Sequence, residues 1–325
     1  MTRPRAAPGT VAWKSTWSKH PIDRDGRRAP DPPVEARGRA AQGRTFDWLK
    51  PGSGGSRRGG PSFASGNGAA LLRRPILRIL LVSDLHYTLP QFDWVVHVAP
   101  SFDLVVLAGD NLDISSAVPL DVQSVVVLHY LELLKAAGKV VVCSGNHDLT
   151  GPDAQGEQSA LWLAEARVAG VPTDGDAVVL GDTRVTICPW WDGPLGRQAL
   201  DQRLEREAAL RPARWIWAYH WPPLGSPTCW TGRRDYGDAD LRGWITHHQP
   251  EIVLTGHVHE SPFKPTGSWA DRIGRTWVFN AGRQIGPVPA HVQIDLAAGQ
   301  AAWHSLMGQE MLQLADAQAP QRSVF

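Results

Sequence analysis

Beyond residue 75 the chain alternates between short apolar runs and polar segments. Three runs are almost entirely apolar, as expected of strands buried on both faces: residues 76–82, 104–108 and 140–143. Between the second and the third run, the apolar spacing is helical, with Asp121 as a plausible N-cap and Gly138 where a helix should stop. Strand, helix and strand in this order indicate an α/β fold.

The second half of the chain contains further elements of both kinds. Two segments have helical spacing, residues 157–169 and 198–210. A hairpin is predicted around Gly181-Asp182, and other short apolar segments predict further strands: residues 177–180, 184–188, 215–219, 252–255, 276–279 and 291–295. Two mixed sheets packed face to face and flanked by helices fit this order.

The composition indicates a globular protein with a sizeable core. Of the 325 residues, 42% are apolar, and no apolar run approaches the length that spans a bilayer. The three cysteines (Cys143, Cys188 and Cys229) imply no disulfide framework, and the N-terminal stretch lacks the apolar core of a secretory signal. We therefore expect a cytoplasmic protein without membrane contact.

Residues 1–74 differ from the rest of the chain in amino-acid composition. Pro-rich patches, Arg-Gly runs and a Gly/Ser stretch show no apolar period, which predicts a disordered extension. Residues 1–75 carry 15 Lys and Arg against 5 Asp and Glu. Since charge runs are usually solvated, a tail, a linker or an over-extended reading frame is favoured over an arm that binds nucleic acid. We assign the folded domain to residues 75–310 and a tail to residues 311–325.

Five short motifs follow one another in a fixed order, most of them directly after an apolar run: Asp84-Leu85-His86, Gly109-Asp110-Asn111-Leu112-Asp113, Gly145-Asn146-His147-Asp148, His220 and Gly256-His257-Val258-His259. Their carboxylate, amide and imidazole groups suit two ions of Mn, Fe, Zn or Co better than Ca or Mg. Two such ions about 3.5–4 Å apart can clamp a phosphate and activate a shared water. The glycine before Asp110, Asn146 and His257 predicts a sharp turn as each strand ends.

This ordered set resembles the calcineurin-like metallophosphoesterase superfamily, whose pattern is DxH, GDxxD, GNH followed by D or E, a lone His, and GHxH. The resemblance spans about residues 76–295. It implies a four-layer αββα sandwich of two mixed β-sheets flanked by helices, with the metal site at the C-terminal ends of the strands. It also implies two metal ions that share Asp110, the first held by Asp84, His86, Asp110 and His259, the second by Asp110, Asn146, His220 and His257.

The resemblance also assigns catalytic roles. His147 matches the histidine that contacts the phosphate and protonates the leaving oxygen. Asp113 matches the carboxylate that supports this histidine, and its spacing from Asp110 suits a group that orients an imidazole. The implied reaction is hydrolysis of a phosphoester by a hydroxide that bridges the metals.

Three positions narrow the choice of subfamily. Phosphoprotein phosphatases have an arginine where this chain has Ile114, and usually a glutamate where it has Asp148. Lipid-A-pathway pyrophosphatases have an arginine at the position of His147. Bacterial phosphodiesterases and class III cyclic-nucleotide phosphodiesterases remain, which favours a small phosphodiester as substrate. A nuclease of the same fold and a non-catalytic metal-binding scaffold are the alternatives.

Fifteen tryptophans are an unusual number, and most of them are expected in the core. Trp190-Trp191 and Trp221, in contrast, belong to segments that should border the metals. We expect at least one of these three, with Trp191 and Trp221 as the preferred choices, to line the site and to stack on a base or an apolar leaving group, with core packing as the alternative.

Other polar residues have two open interpretations. The Pro- and Gly-rich loop at residues 222–238 contains Arg233-Arg234, which either neutralise a phosphate or, more in line with surface charges, are solvated. Asn280-Ala281-Gly282-Arg283 resembles the Asn-Pro-Gly turn of many family members, with alanine in place of proline. Asp148 either has a functional role or caps a turn.

Overall fold

The computed structural model describes residues 77–319. Within them, the strands are β1 (Arg78–Val82), β2 (Leu104–Ala108), β3 (Val140–Cys143), β4 (Gly151–Pro152), β5 (Gln158–Ser159), β6 (Ala177–Leu180), β7 (Thr183–Ile187), β8 (Arg214–Ala218), β9 (Ile252–Thr255), β10 (Ala270–Ile273), β11 (Thr276–Asn280), β12 (His291–Asp295), β13 (Gln300–Ser305) and β14 (Gly308–Gln313). The α-helices are α1 (Leu89–Val98), α2 (Leu120–Ala137), α3 (Leu163–Val168), α4 (Pro194–Ala209) and α5 (Ala239–His248).

Two six-stranded mixed sheets form the centre of the fold. The first has the strand order β14-β13-β12-β1-β2-β3, in which β1, β2 and β3 run parallel and the others are antiparallel to their neighbours. The second has the order β10-β11-β9-β8-β7-β6, with β11, β9, β8 and β7 parallel. The parallel strands of each sheet therefore end at one edge, where their following loops can meet.

Side-chain alternation explains why β1 after Arg78, and β2 and β3 throughout, are apolar. On β1, Ile79 and Leu81 pack between the two sheets, whereas Leu80 and Val82 pack against helices on the other face. The outer layer on this side contains α1, α2 and α3, and α4 and α5 cover the outer face of the second sheet. The predicted four-layer αββα sandwich is confirmed.

The prediction of one continuous helix over residues 157–169 is wrong. It contains the short strand β5 and then the shorter helix α3. The carboxylate of Glu157 accepts the backbone N–H groups of Leu195 and Gly196, at 2.8 and 2.6 Å, in the first turn of α4. This long-range cap satisfies amide groups that α4 cannot satisfy itself, and it overrides the local helical spacing around Glu157.

Two further boundaries differ from the predictions. Helix α2 begins at Leu120, so Asp121 lies in its first turn and does not cap it, although Gly138 does follow the last residue as predicted. The boundary predicted at residue 310 falls inside β14, whose Leu312 is buried in the core between the sheets. At least the first part of the predicted tail, residues 311–325, therefore belongs to the first sheet.

The predicted N-terminal extension, residues 1–74, lies outside the described residues. Among residues 77–319, the helices are too short or too polar for any of them to cross a bilayer.

Candidate metal centre

The seven predicted ligands meet at the carboxyl ends of parallel strands from both sheets. Asp84 and His86 follow β1, Asp110 follows β2, Asn146 follows β3, His220 follows β8, and His257 and His259 follow β9. Residues more than 170 positions apart in sequence thus come into direct contact, as between His86 and His259.

The loops that carry the ligands have unusual backbone conformations. Asp84, His86, Asp110 and His257 have positive φ angles of 56°, 42°, 54° and 66°. Non-glycine residues seldom adopt this region, and each instance costs about 1–3 kcal/mol unless the surroundings enforce it. Here the loops support one another, since the N–H of Asp84 donates to Gly109 C=O at 3.0 Å and the N–H of His86 donates to Asp110 C=O at 2.9 Å.

Glycine precedes three of the ligands, and only one of these glycines needs its conformational freedom. Gly109 has a φ of 87°, whereas Gly145 and Gly256 are not in the left-handed region. Their requirement is space, because a Cβ on Gly145 would lie 2.2 Å from Asp110 Oδ1 and one on Gly256 would lie 2.5 Å from Asp84 Oδ2. The predicted sharp turn therefore holds for Gly109, and close packing against a carboxylate explains the other two.

The first group of ligands contains Asp84, His86, Asp110 and His259. Nε2 of His86 lies 3.0 Å from Nε2 of His259, 3.6 Å from Asp110 Oδ2 and 3.9 Å from Asp84 Oδ1. Nε2 of His259 lies 3.2 Å from Asp84 Oδ1. Nitrogen ligands sit about 2.0–2.1 Å from a zinc-like cation, so two around one ion are roughly 3 Å apart. These four side chains fit one metal ion.

The second group contains Asp110, His220 and His257, with Asn146 beside them. Nδ1 of His220 donates to the carbonyl of Ala108 at 2.6 Å, which leaves Nε2 as the ligand atom. That Nε2 faces Asp110 Oδ2 at 3.2 Å, whereas Nε2 of His257 and Oδ1 of Asn146 are buried without a hydrogen-bond partner. Unpartnered buried polar atoms are costly, and a cation bound here would satisfy both.

Asp110 belongs to both groups. Its Oδ2 lies 3.2 Å from His220 Nε2 and 3.6 Å from His86 Nε2, so one oxygen faces a histidine of each group. Its Oδ1 accepts the backbone N–H of His147 at 2.8 Å, which fixes the orientation of the carboxylate. This geometry is what a bridge between two cations requires.

The electrostatics of the centre follow from burial and close opposite charges. Burial alone would raise the pKa values of Asp84 and Asp110, but neighbouring imidazoles hold both below their usual range. Burial lowers the pKa of His86 to about 4 and that of His257 to about 3. For His220, burial acts to lower the pKa, yet the carboxylate of Asp110 raises it to about 9. A cation that binds His220 Nε2 must displace a proton, so metal affinity will depend on pH.

His147 lies beside the first group. Its Nδ1 accepts the backbone N–H of Ile114 at 3.3 Å, which leaves the proton of the neutral ring on Nε2. The carboxylate of Asp113 lies 3.5 Å from His147 Nδ1 and 3.9 Å from His86 Nδ1, between the two rings. The side chain of His147 is 19% exposed, so a substrate can reach it.

A family model described as calcineurin-like phosphoesterase matches residues 77–261, more than half of the chain. The chain belongs to the calcineurin-like phosphoesterase family. Membership in this family, together with the Asp/His groups, supports a metal-dependent hydrolase of phosphoesters. The predicted superfamily is therefore confirmed.

The solved structures that match this phosphoesterase have low sequence identity to it. TT1561 of Thermus thermophilus is 16% identical over 74% of this chain and 99% of its own, with a TM-score of 0.48. Yfce, a phosphoesterase from E. coli, is 14% identical over 76% of this chain and 100% of its own, with a TM-score of 0.36. The purple acid phosphatase PPD1 from yellow lupin is 12% identical over 76% and 53%, with a TM-score of 0.42. No curated protein sequence matches the chain.

An aromatic wall, formed by Trp190, Trp221 and Tyr236, flanks the second ligand group of this family member. The rings of Trp190 and Trp221 stack with centroids 4.9 Å apart and 17° between their planes. The centroids of Trp221 and Tyr236 lie 5.4 and 5.1 Å from that of His257. Trp221 therefore borders the site as predicted from the sequence.

The prediction for Trp191 needs correction. Its side chain packs against the apolar cluster that lies between the second sheet and helices α4 and α5. Its Cβ lies close to Gly196 of α4. Consecutive side chains outside a helix tend to point in opposite directions. Trp190 faces the histidines, and Trp191 consequently faces the helix.

Tyr236 is a site residue that sequence reasoning did not single out. It belongs to the Pro- and Gly-rich loop at residues 222–238, in which it is the aromatic residue nearest in sequence to Arg233-Arg234. Arg234 lies over its ring, 5.2 Å from the centroid.

Asp148 has a supporting position. It is fully buried, and its carboxylate accepts the backbone N–H groups of Gly145, Asn111 and Leu112 at 2.9, 3.0 and 2.9 Å. Burial raises its pKa to about 7, and the charge of Asp110 acts in the same direction. Asp148 ties the loop after β2 to the loop after β3, which favours the structural interpretation.

Proposed function

We propose that the protein hydrolyses phosphoesters, and in particular small phosphodiesters, at a centre of two metal ions. The observation that carries this proposal is the Asp110 carboxylate, whose Oδ2 faces His86 and His220 from two separate ligand groups. A structural metal site would need one closed set of ligands. Two groups with a shared oxygen are instead the arrangement used for an in-line displacement at phosphorus.

The geometry supports the two ligand sets that the resemblance implies. One cation would be held by Asp84, His86, Asp110 and His259, and the other by Asp110, Asn146, His220 and His257. When bound, the pair supplies an activated water and neutralises charge on the phosphate oxygens. The mixture of imidazole, carboxylate and amide ligands favours Mn, Fe, Zn or Co.

His147 is proposed as the general acid. In its protonated, imidazolium form the ring would give the Nε2 proton to the departing oxygen and become neutral, because Nδ1 lies on the side of the Ile114 N–H and the Asp113 carboxylate. The Asp113 carboxylate, 3.5 Å from Nδ1, stabilises the positive charge of a protonated ring. It also lies 3.9 Å from Nδ1 of His86, so it can orient that ligand from behind.

The aromatic wall supports the preference for diesters. A phosphodiester carries a second organic substituent, and the stacked rings of Trp190 and Trp221 next to His257 offer a surface for a base or another planar group. The absence of an arginine at Ile114 points in the same direction, away from phosphoprotein phosphatases.

The decisive experiment is a substrate panel on purified protein loaded separately with Mn, Fe, Co or Zn. The panel contains p-nitrophenyl phosphate, bis(p-nitrophenyl) phosphate, cyclic nucleotides and short DNA and RNA strands. We expect turnover with at least one metal and faster turnover of small diesters than of monoesters. Monoester activity alone would overturn the diester preference. No turnover by protein that contains two bound metal ions would overturn the enzymatic function.

A further inference from the structure

Helices α4 and α5 cover the outer face of the second sheet, and polar contacts join the two helices at successive turns. Near the start of both helices, Nε of Arg197 donates to the Asp240 carboxylate at 2.7 Å. One turn further, the indole N–H of Trp244 donates to Asp201 Oδ1 at 2.8 Å. The next position of α4 in this series is Glu205, which therefore faces the last residues of α5.

Those last residues are His247 and His248, and both bring Nε2 close to the same oxygen of Glu205. Nε2 of His247 lies 3.4 Å from Glu205 Oε1, and Nε2 of His248 lies 3.8 Å from it. The centroids of the two rings are 4.6 Å apart, with 77° between the ring planes. Because consecutive residues of a helix point about 100° apart, two neighbouring histidines do not normally face one carboxylate.

His248 distinguishes this group from an ordinary surface ion pair. Its side chain is 3% exposed, and its Nε2 has no hydrogen-bond partner among the residues that the structure describes, since Glu205 Oε1 is too distant at 3.8 Å. The ring lies edge-on to those of Trp215 and Trp217, with centroids 5.8 and 6.0 Å away. An unpartnered buried nitrogen is costly, and an ion placed between it and the carboxylate would satisfy it.

The spacing and the types of these three side chains suit a tetrahedral zinc ion. Ligand atoms about 2.0–2.2 Å from zinc stand roughly 3.3–3.5 Å apart in a tetrahedron, close to the 3.4 and 3.8 Å that separate Glu205 Oε1 from the two histidines. Glu205 and His247 are exposed and can make the remaining adjustment without disturbing the core. Burial lowers the pKa of His248, which keeps its ring neutral, the form that binds a metal.

A second histidine and glutamate pair, on α2, provides a comparison. Nδ1 of His129 lies 3.8 Å from Glu132 Oε2, and both side chains are largely exposed. Within residues 77–319, no third metal-binding side chain completes this pair. Proximity of an exposed histidine to a glutamate is therefore not sufficient for a site, and the buried ring of His248 makes the difference.

We propose that Glu205, His247 and His248 bind one zinc ion at a site separate from the dinuclear centre. His248 packs on Trp215 near the start of β8, whereas His220 of the dinuclear centre follows the end of that strand. The three side chains leave one position of the ion for water. The ion joins α4 to α5, and it stabilises the protein because its ligands come together only in the folded chain.

The test counts zinc ions per chain, by elemental analysis after dialysis, in the wild type and in Glu205→Gln, His247→Gln and His248→Gln. The matched controls, Glu132→Gln and His129→Gln, alter the exposed pair on α2. We expect each of the three site variants to hold one zinc ion fewer than the wild type, and both controls to hold the wild-type number. This difference of one ion does not depend on how many ions the dinuclear centre holds.

Two further measurements separate this site from the dinuclear centre. Mn is the weakest binder of the divalent series and should leave the new site empty. Turnover of bis(p-nitrophenyl) phosphate with Mn should therefore be the same for Glu205→Gln, His247→Gln and the wild type. Zinc should raise the Tm of the wild type by about 5 °C more than that of Glu205→Gln, at a zinc concentration about 100-fold above the Kd of the site.

The proposal is overturned if Glu205→Gln and His247→Gln bind as many zinc ions as the wild type. Both substitutions are at exposed positions, so they decide the question even if His248→Gln does not fold. An equal loss of zinc in the two α2 controls would also overturn it, because any exposed histidine would then suffice. Zinc retained by a folded His248→Gln variant would contradict the three-residue site, and an equal rise in Tm for the wild type and Glu205→Gln would contradict the link between the helices.

Discussion

At the scale of single residues, the ring nitrogens of the histidines distinguish ligands from a proton donor. His220 uses Nδ1 to contact a carbonyl group and directs Nε2 into the centre, 3.2 Å from Asp110 Oδ2. His147 has its Nδ1 occupied by a backbone N–H and keeps 19% of its side chain exposed. The sequence distinguishes a metal ligand from a proton donor only through the resemblance to the family. A lone histidine at the end of a strand is compatible with either role.

The contribution of a general acid to the reaction rate should increase with the basicity of the leaving group. His147→Ala is therefore expected to reduce kcat by about 10²- to 10⁴-fold on a phosphodiester with an alkoxide leaving group. The reduction should be much smaller for p-nitrophenolate, which leaves without a proton. Steady-state kinetics on the two substrates checks this, with His129→Ala, on an exposed position of α2, as the control. Equal losses on both substrates would contradict the general-acid role.

At the scale of elements, local patterns predicted the buried parallel strands well and the long-range contacts poorly. The runs of β1, β2 and β3 are apolar because both faces are covered, and this signal is contained in the run itself. The helical spacing after Glu157 was misleading, because the Glu157 carboxylate caps α4 almost forty residues away. Likewise, β13 and β14 expose many of their side chains, so their sequences lack a clear apolar signal.

The loops at the strand ends make a prediction about glycine. Gly145→Ala would bring a Cβ to 2.2 Å from Asp110 Oδ1 and 2.7 Å from the His220 ring. We expect this variant to lose about 1–3 kcal/mol in the free energy of unfolding, as for other overpacked sites, and to bind metal more weakly. Chemical denaturation and metal titration measure the two effects.

Gly243→Ala is the matched control for Gly145→Ala. Gly243 lies inside α5, and a Cβ there would meet nothing within 4 Å. Alanine at a helix interior should stabilise the protein by about 0.5–1 kcal/mol. The prediction for Gly145 fails if both alanine variants are as stable as the wild type.

At the scale of the whole molecule, the topology explains why scattered motifs form one centre. Parallel strands in both sheets end at the same edge, so loops from β1, β2, β3, β8 and β9 converge there. The sequence alone indicates that most of the motifs follow a predicted strand. That the motifs meet in one metal centre was predicted only from the resemblance to the family. Which of Trp190 and Trp191 faces the site, and how Tyr236 comes to lie beside His257, depends on side-chain direction and on contacts between distant segments, which no local pattern encodes.

The claim on which the account depends is that Asp110 joins two metal ions. The most direct measurement is the metal content per chain, by elemental analysis after equilibration with Mn, for the wild type, Asp110→Ala and Asp182→Ala. Asp182 is an exposed turn residue between β6 and β7 and serves as the control. We expect two ions per chain in the wild type and the control, and loss of both ions in Asp110→Ala. Two ions retained by a folded Asp110→Ala variant would contradict the bridge, and one ion or none in the wild type would contradict the centre itself.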